Sequence, residues 1–117
     1  MNILITNNPL VNDKYEDEIN VKFIDCALID VLFCVRDYIH KGSLLLSHPL
    51  SGSVKPNETP YKSVLISDSS GEVDLRSLKT IEQCIIAVQK FEPNEIPQNY
   101  LKDLQVVDYS IISQALI

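Results

Sequence analysis

Apolar residues along the chain follow two different spacings, which alternate from one segment to the next. Short apolar or alternating runs at residues 2–6, 20–25, 43–47 and 63–67 predict four strands. Spacings of three and four residues predict helices at residues 9–15, 27–42, 75–91 and 98–116. This alternation predicts an α/β fold, a Rossmann-like sandwich whose four-stranded, mostly parallel sheet is covered by helices. The direction of the fourth strand stays open, because no clear helix precedes it.

The ends of the helices carry their own signals. Asn8 and Pro9 predict an N-cap and a first helical residue, and Gly42 predicts the end of the next helix. The last predicted helix is apolar on two sides. One face holds Leu101, Leu104, Val107 and Ile111, and the other holds Val106, Tyr109, Ile112 and Leu116. Its second side is explained equally well by packing between the sheet and another helix or by a homodimer interface.

Length and charge restrict the class of protein. A chain of 117 residues fits a single domain. Its net charge of -6, without a basic stripe, argues against binding to nucleic acid or to an anionic membrane surface. No apolar run approaches the roughly 18 residues of a membrane span, and the first residues lack the basic part of a signal peptide. We therefore expect a cytoplasmic protein.

The cysteines and histidines predict neither a metal site nor a cofactor. Cys26, Cys34 and Cys84 form no C-x-x-C pair, and their odd number does not support a disulfide framework. We expect Cys34 and Cys84, which fall inside predicted helices, to act as small buried apolar residues. Cys26 is the one candidate reactive thiol, because it precedes a predicted helix whose N-terminus can lower a thiol pKa.

A long polar loop separates the third and fourth predicted strands. It begins with "HPLSGSVKPNETPYK" at residue 48 and contains three prolines, which fix φ and reduce the flexibility of the chain. Loops longer than about 12–15 residues are uncommon in compact domains and are usually functional or disordered. This loop is restrained by proline and flanked by apolar strands. It therefore predicts a functional segment.

The loop and the first strand end provide groups suited to an anion. Small residues let backbone N–H groups converge on oxygen atoms, and a lysine adds positive charge. The predicted ligand-binding residues are Asn7, Asn8, His48, Ser51, Gly52, Ser53 and Lys55. Lys62 is a second cation in reach of the same loop. The pattern is not a Walker A motif, and ordinary turn chemistry explains Ser and Gly here equally well.

His48 is the candidate catalytic residue. At the end of a predicted strand it could act as a general base or orient a substrate, and it could equally fix the loop by hydrogen bonding. His40 lies at a predicted helix C-terminus, where interaction with the helix dipole explains it. No nucleophile elbow G-x-S-x-G is present, so no Ser-His-Asp triad is predicted.

The loop also carries a family resemblance. "HPLSGSVKPNETPYKS", with "TNNP" near the start and "VRDYIHKG" at the end of the long helix, resembles the GrdX family. The resemblance implies a small cytoplasmic protein encoded with the glycine reductase system of amino-acid-fermenting anaerobic bacteria. That system reduces glycine, sarcosine or betaine and yields acetyl phosphate. The family has no assigned catalytic residues, so the resemblance transfers none.

Three interpretations of function remain open from the sequence. The leading one is an accessory protein of the reductase system with a small-anion or small-molecule site at the 48–62 loop. The second is an interaction protein whose loop docks on a reductase subunit. The third is a small enzyme that uses His48 as a general base.

Overall fold

In the computed structural model the described residues are 1–51, 55–92 and 94–116. Within them the chain forms three strands and four α-helices. The strands are β1 (Asn2–Thr6), β2 (Asn20–Phe23) and β3 (Ser63–Ser67). The helices are α1 (Pro9–Tyr15), α2 (Leu28–His40), α3 (Leu75–Gln89) and α4 (Leu101–Ala115), the last preceded by a 3₁₀ turn at Gln98–Tyr100. All four helices confirm segments whose apolar spacing predicts a helix.

The sheet is mixed and has the strand order β2-β1-β3. Strand β1 pairs in parallel with β2, so that Thr6 lies opposite Phe23. It pairs antiparallel with β3, so that Thr6 also lies opposite Ser63. The prediction of a four-stranded, mostly parallel sheet is therefore wrong. Parallel neighbours need a crossover, usually a helix, and the loop before β3 supplies none in its described part.

The predicted third strand, residues 43–47, does not form a regular strand, because side-chain hydroxyl groups accept hydrogen bonds that backbone carbonyls would accept in a strand pair. Leu45 makes one isolated antiparallel bridge to Ile66. Next to this bridge, the amide of Leu65 donates to the hydroxyl of Ser47 at 2.9 Å instead of to a backbone carbonyl. Serine competes for backbone hydrogen bonds in this way. The segment still runs beside β3, and its end points toward the edge of the sheet where β1 ends.

Helices cover both faces of the sheet because side chains alternate along β1. Ile3 and Ile5 face α2 and α3, whereas Leu4 faces α1 and α4. The larger core joins Ile3 and Ile5 to buried residues of α2 and α3: Leu28, Val31, Leu32, Val35, Ile39, Ile81, Cys84 and Ile85. The smaller core contains Leu4, Val11, Leu65 and Ile112. The result is a three-layer α/β/α arrangement.

Helix α4 packs one side against the sheet and leaves part of the other in solvent. Ile112 is buried, whereas Val106 is 54% and Val107 37% exposed. A homodimer interface on this helix stays a prediction. In the parts of the chain that the structure describes, no helix combines the length and apolar character needed to cross a membrane.

Among the described residues, Gly42 and Gly71 adopt positive φ, and they allow a matched test of the turn that follows α2. A Cβ on Gly42 (φ 111°) would lie 2.5 Å from the amide nitrogen of Gly71, whereas a Cβ on Gly71 (φ 135°) would meet no atom within 4 Å. We expect Gly42→Ala to lower the free energy of unfolding by more than about 3 kcal/mol, because strain and a backbone clash add together. Gly71→Ala should cost only the strain, roughly 1–2 kcal/mol. Urea denaturation measures both values, and equal losses would contradict this account of the turn.

Candidate functional site

The candidate site lies at the carboxyl edge of β1. Since β3 is antiparallel to β1, its first residue, Ser63, lies beside Thr6. The end of the long loop therefore meets Asn7 and Asn8 at this edge. The groups that follow β3, from Asp68 onward, lie at the opposite edge and do not contribute here.

Asn7 fastens the end of the loop to the junction between β2 and α2. Its side-chain nitrogen Nδ2 donates to the carbonyls of Cys26 at 2.9 Å and Pro60 at 2.8 Å. Its Oδ1 accepts from the backbone amide of Lys62 at 2.8 Å. The side chain is only 5% exposed and is engaged at both ends of its amide. Asn7 therefore shapes the site from within the fold.

Asn8 joins α1 to α4. Its Oδ1 accepts from the amide of Leu10 at 3.0 Å, which confirms the predicted N-cap. Its Nδ2 donates to the carbonyl of Gln105 at 2.9 Å and to the carboxylate of Asp108 at 3.0 Å. Asn8 is fully buried, so like Asn7 it acts through the protein's own hydrogen bonds.

Asp108 is the central residue of this network, and the sequence analysis missed it. Its Oδ1 accepts from the amide of Ser63 at 3.1 Å, and its Oδ2 accepts from the Ser63 hydroxyl at 2.7 Å. Together with the bond from Asn8, the carboxylate receives three donors while only 6% exposed. The available signal was its position, four residues after Leu104 and four before Ile112, within the apolar stripe of α4.

The network continues into β1 through hydroxyl groups. Thr6 Oγ1 lies 2.7 Å from Ser63 Oγ and accepts from the amide of Asn8 at 2.9 Å. Because the Ser63 hydroxyl donates to Asp108, the Thr6 hydroxyl donates to Ser63. Every member is buried, so the chain of hydrogen bonds is shielded from water.

Lys62 is the cation at this edge. The residue is 7% exposed. Burial lowers the pKa of its ammonium group below the ordinary value, and the nearby Asp108 carboxylate opposes that shift only in part. Among the described residues the ammonium makes neither a hydrogen bond nor an ion pair. Desolvated charge of this kind is costly unless a partner compensates it.

A small cleft borders Lys62. Ser51, Thr59 and Tyr61 line it from the loop, and α4 lines it from the other side with Leu104, Val107, Asp108 and Ile111. Its volume is about 10 Å³, close to the room that one water needs. The structure therefore brings Ser51, a predicted site residue, together with Lys62.

The other predicted site residues lie elsewhere. His48 is exposed, its Nδ1 accepts from the amide of Leu50 at 3.1 Å, and it borders a separate open groove beside the start of α3. Lys55 is exposed, and its carbonyl accepts from the amide of Glu58 at 2.9 Å. Gly52 and Ser53 lie outside the described residues. A ligand site formed by the predicted residues, and a catalytic role for His48, stay predictions.

The cysteines are free and partly or fully buried. Burial raises the pKa of the Cys26 thiol, and the carboxylate of Asp30 adds to the shift. Burial also raises the pKa of the Cys34 and Cys84 thiols. This direction is opposite to that of an activated thiolate. Among the described residues no group of three or more His, Cys, Asp or Glu side chains could hold a metal ion.

Comparison with known proteins identifies a family. A model of the GrdX-like protein family matches residues 3–117. The match confirms the resemblance carried by the loop and extends it through α4, which contains Asp108. No curated protein and no solved structure matches the chain. Function therefore has to be inferred from the geometry of the site.

The Asp108 network can be tested with two chemically identical changes on one helix. Asp108→Asn replaces an acceptor oxygen with a donor and leaves buried donors without a partner, so we expect unfolding free energy to fall by roughly 2–4 kcal/mol. Asp103→Asn changes an exposed carboxylate in the first turn of α4 and should cost less than about 1 kcal/mol. Urea denaturation of both variants decides. A similar loss of unfolding free energy in both variants would show that the buried carboxylate stabilises the fold no more than an exposed one.

Proposed function

We propose that this chain, which belongs to the GrdX-like family over residues 3–117, is an accessory protein of the glycine reductase system that binds a small anionic metabolite beneath the 48–62 loop. The family name supports the link to the reductase system. The observation that supports the binding role is Lys62, a buried cation at the carboxyl edge of β1 that has no ionic partner among the described residues.

The charge balance around Lys62 favours an anion. Burial disfavours the charged form of its ammonium group. Three of the cleft residues on α4 are apolar: Leu104, Val107 and Ile111. Asp108, the carboxylate nearest to Lys62 among the described residues, already receives three donors from Ser63 and Asn8. A bound carboxylate or phosphate would offset the desolvation of Lys62 with a charge-assisted hydrogen bond.

Hydroxyl groups next to Lys62 could complete such a site. Thr59 Oγ1 accepts from the amide of Tyr61 at 3.2 Å, so its own proton remains available to donate among the described residues. Ser51 contributes a second hydroxyl to the same cleft. With a volume of about 10 Å³, the cleft admits more than a water only if these loop side chains move outward. This favours acetate, glycine or phosphate over a nucleotide.

A second candidate function rests on a different surface. Leu44, Leu46 and Leu75 are 42%, 43% and 76% exposed around the open groove that His48 borders. Exposed leucines gathered in one place favour a protein partner. On this interpretation the chain is an interaction protein that docks on a reductase subunit, and the edge of β1 has only a structural role.

Binding to anions distinguishes the two functions. We expect saturating acetate, glycine, phosphate or acetyl phosphate to raise the melting temperature by several degrees, because ligand at 100 times its Kd adds about 2.7 kcal/mol. Lys62→Met should remove this shift, since it keeps the length of the side chain and deletes its charge. Lys55→Met, a matched change at an exposed lysine of the same loop, should leave the shift intact.

Two outcomes of this experiment would contradict the proposal. If Lys62→Met kept the full shift while Lys55→Met lost it, the anion would bind to the exposed part of the loop. If no anion shifted the melting temperature of the wild-type protein, the interaction function would replace the binding function. Isothermal titration calorimetry on the same variants gives the affinities directly.

A further inference from the structure

Lys62 is also a candidate nucleophile, because its amine is enclosed and unpaired. The residue is 7% exposed, and within the described chain its Nζ atom takes part in neither a hydrogen bond nor an ion pair. Burial lowers the pKa of the ammonium group, so at a given pH a larger fraction of Lys62 is neutral than of an exposed lysine. Only the neutral amine can attack an electrophile.

The nitrogen of Lys62 can still be reached from solvent. Among the described residues, Asn57 Oδ1 is the only side-chain nitrogen or oxygen atom that is both sealed from solvent and without a partner. The unpaired Lys62 nitrogen is not such an atom, so part of its surface remains open. Lys62 lines the same small cleft as Ser51, Thr59 and Tyr61. A small molecule that enters when these loop side chains move outward therefore meets the amine.

The chemistry of a buried amine favours a carbonyl compound. An amine adds to a carbonyl carbon and forms an imine without any oxidant or reductant. In the protonated imine the nitrogen keeps a positive charge, which would lack an ionic partner in the described part of the chain, because Asp108 already receives three donors. A carboxylate on the carbon next to the carbonyl would lie beside the imine nitrogen and compensate this charge.

We propose that the anion bound at this site is a small 2-oxo acid, whose carbonyl carbon forms an imine with Lys62 Nζ. This inference rests on the proposed anion function and names the class of its ligand. The nitrogen of the neutral amine bonds to the carbonyl carbon, and one of its protons passes to the carbonyl oxygen. The resulting hydroxyl takes up the proton that the ammonium group had released and leaves as water, and the C=N bond forms. In sum, one ammonium group and one carbonyl give one protonated imine and one water.

Hydroxyl groups of the cleft suit the carboxylate of such a ligand. Thr59 Oγ1 accepts from the amide of Tyr61, which leaves its own proton available to donate within the described chain. The hydroxyl oxygen of Tyr61 accepts from Gln105 Nε2 at 2.9 Å, so its proton is available in the same sense. Because the cleft measures only about 10 Å³ before the loop side chains move, it favours the shortest oxo acids, glyoxylate and pyruvate, over longer ones.

The test is reductive trapping of the full chain with pyruvate and sodium cyanoborohydride at neutral pH, followed by intact mass spectrometry and peptide mapping. Cyanoborohydride reduces the imine to a stable secondary amine, so each adduct adds the mass of one pyruvic acid less one oxygen atom. We expect the adduct to form at Lys62 several times faster than at Lys55, an exposed lysine of the same loop that serves as the internal reference. Labelling of Lys62 that is no faster than labelling of Lys55 would overturn the proposal.

Acetone tests the role of the carboxylate, because it is pyruvate with a methyl group in place of the carboxylate. Labelling of Lys55 reports the intrinsic reactivity of each ketone, so the quantity to compare is the ratio of labelling at Lys62 to labelling at Lys55. We expect this ratio to be several times higher with pyruvate than with acetone. Equal ratios would overturn the assignment of a 2-oxo acid.

Variants separate the nucleophile from the charge. Lys62→Met should lose both the adduct and anion binding, whereas Lys55→Met should keep the adduct at Lys62. Lys62→Arg should lose the adduct but keep the melting-temperature shift with acetate, because a guanidinium group stays charged and forms no imine under these conditions. An unchanged amount of adduct in Lys62→Met would place the reaction at another lysine and overturn the proposal. Should a variant at Lys62 not fold, peptide mapping of the wild-type protein decides the question.

Acetate distinguishes a failure of this inference from a failure of the proposed function. We expect acetate to raise the melting temperature and to slow labelling by pyruvate at Lys62 but not at Lys55. A melting-temperature shift with acetate, combined with no pyruvate adduct at Lys62, would overturn the imine and leave anion binding intact. If acetate neither shifted the melting temperature nor protected Lys62, the anion site itself would be contradicted, and the assignment of a 2-oxo acid with it.

Discussion

The carboxylate of Asp108 is the interaction on which the rest of this edge depends. It receives both the amide and the hydroxyl of Ser63, and it receives the side chain of Asn8. One buried group therefore joins α4 to the first residue of β3 and to the end of β1. Because a half-satisfied buried carboxylate is costly, the three elements hold one relative position. The end of the long loop, which leads directly into Ser63, is thereby held in place as well.

The hydrogen bonds at this edge also fix the backbone on both sides of Lys62. Asn7 binds the backbone of Lys62 and the carbonyl of Pro60, and Ser63 is fixed by Asp108. These attachments fix the backbone of Lys62 at this edge, where the residue is 7% exposed and burial disfavours the charged form of its ammonium group. Local costs of this kind, compensated elsewhere in the fold, are expected at functional positions.

The helices could be predicted from the sequence because their apolar residues recur at helical spacing. The sheet and the site were harder to predict, because they depend on hydrogen bonds between residues far apart in the chain. The N-cap at Asn8 and the position of Asn7 at the strand end follow from local sequence, but their buried roles depend on partners about 50 to 100 residues away. Ser47 appeared to end a strand, yet its hydroxyl takes over a backbone bond. The role of Asp108 could not be predicted, because a single carboxylate among apolar residues of a helix resembles an ordinary solvent-exposed position. Only the fold shows that Ser63 lies beside it.

In the proposed function, the Lys62 ammonium is the group that binds the anion. The most direct measurement is an NMR pH titration of the lysine side-chain signals, with and without acetate, assigned by comparison with Lys62→Met. We expect the free protein to show a pKa for Lys62 below that of the exposed lysines, because burial disfavours its charge. Acetate should raise that pKa toward the ordinary value, since a bound anion favours the charged form. A Lys62 signal that titrates like those of the exposed lysines, or that acetate leaves unchanged, would contradict anion binding by Lys62.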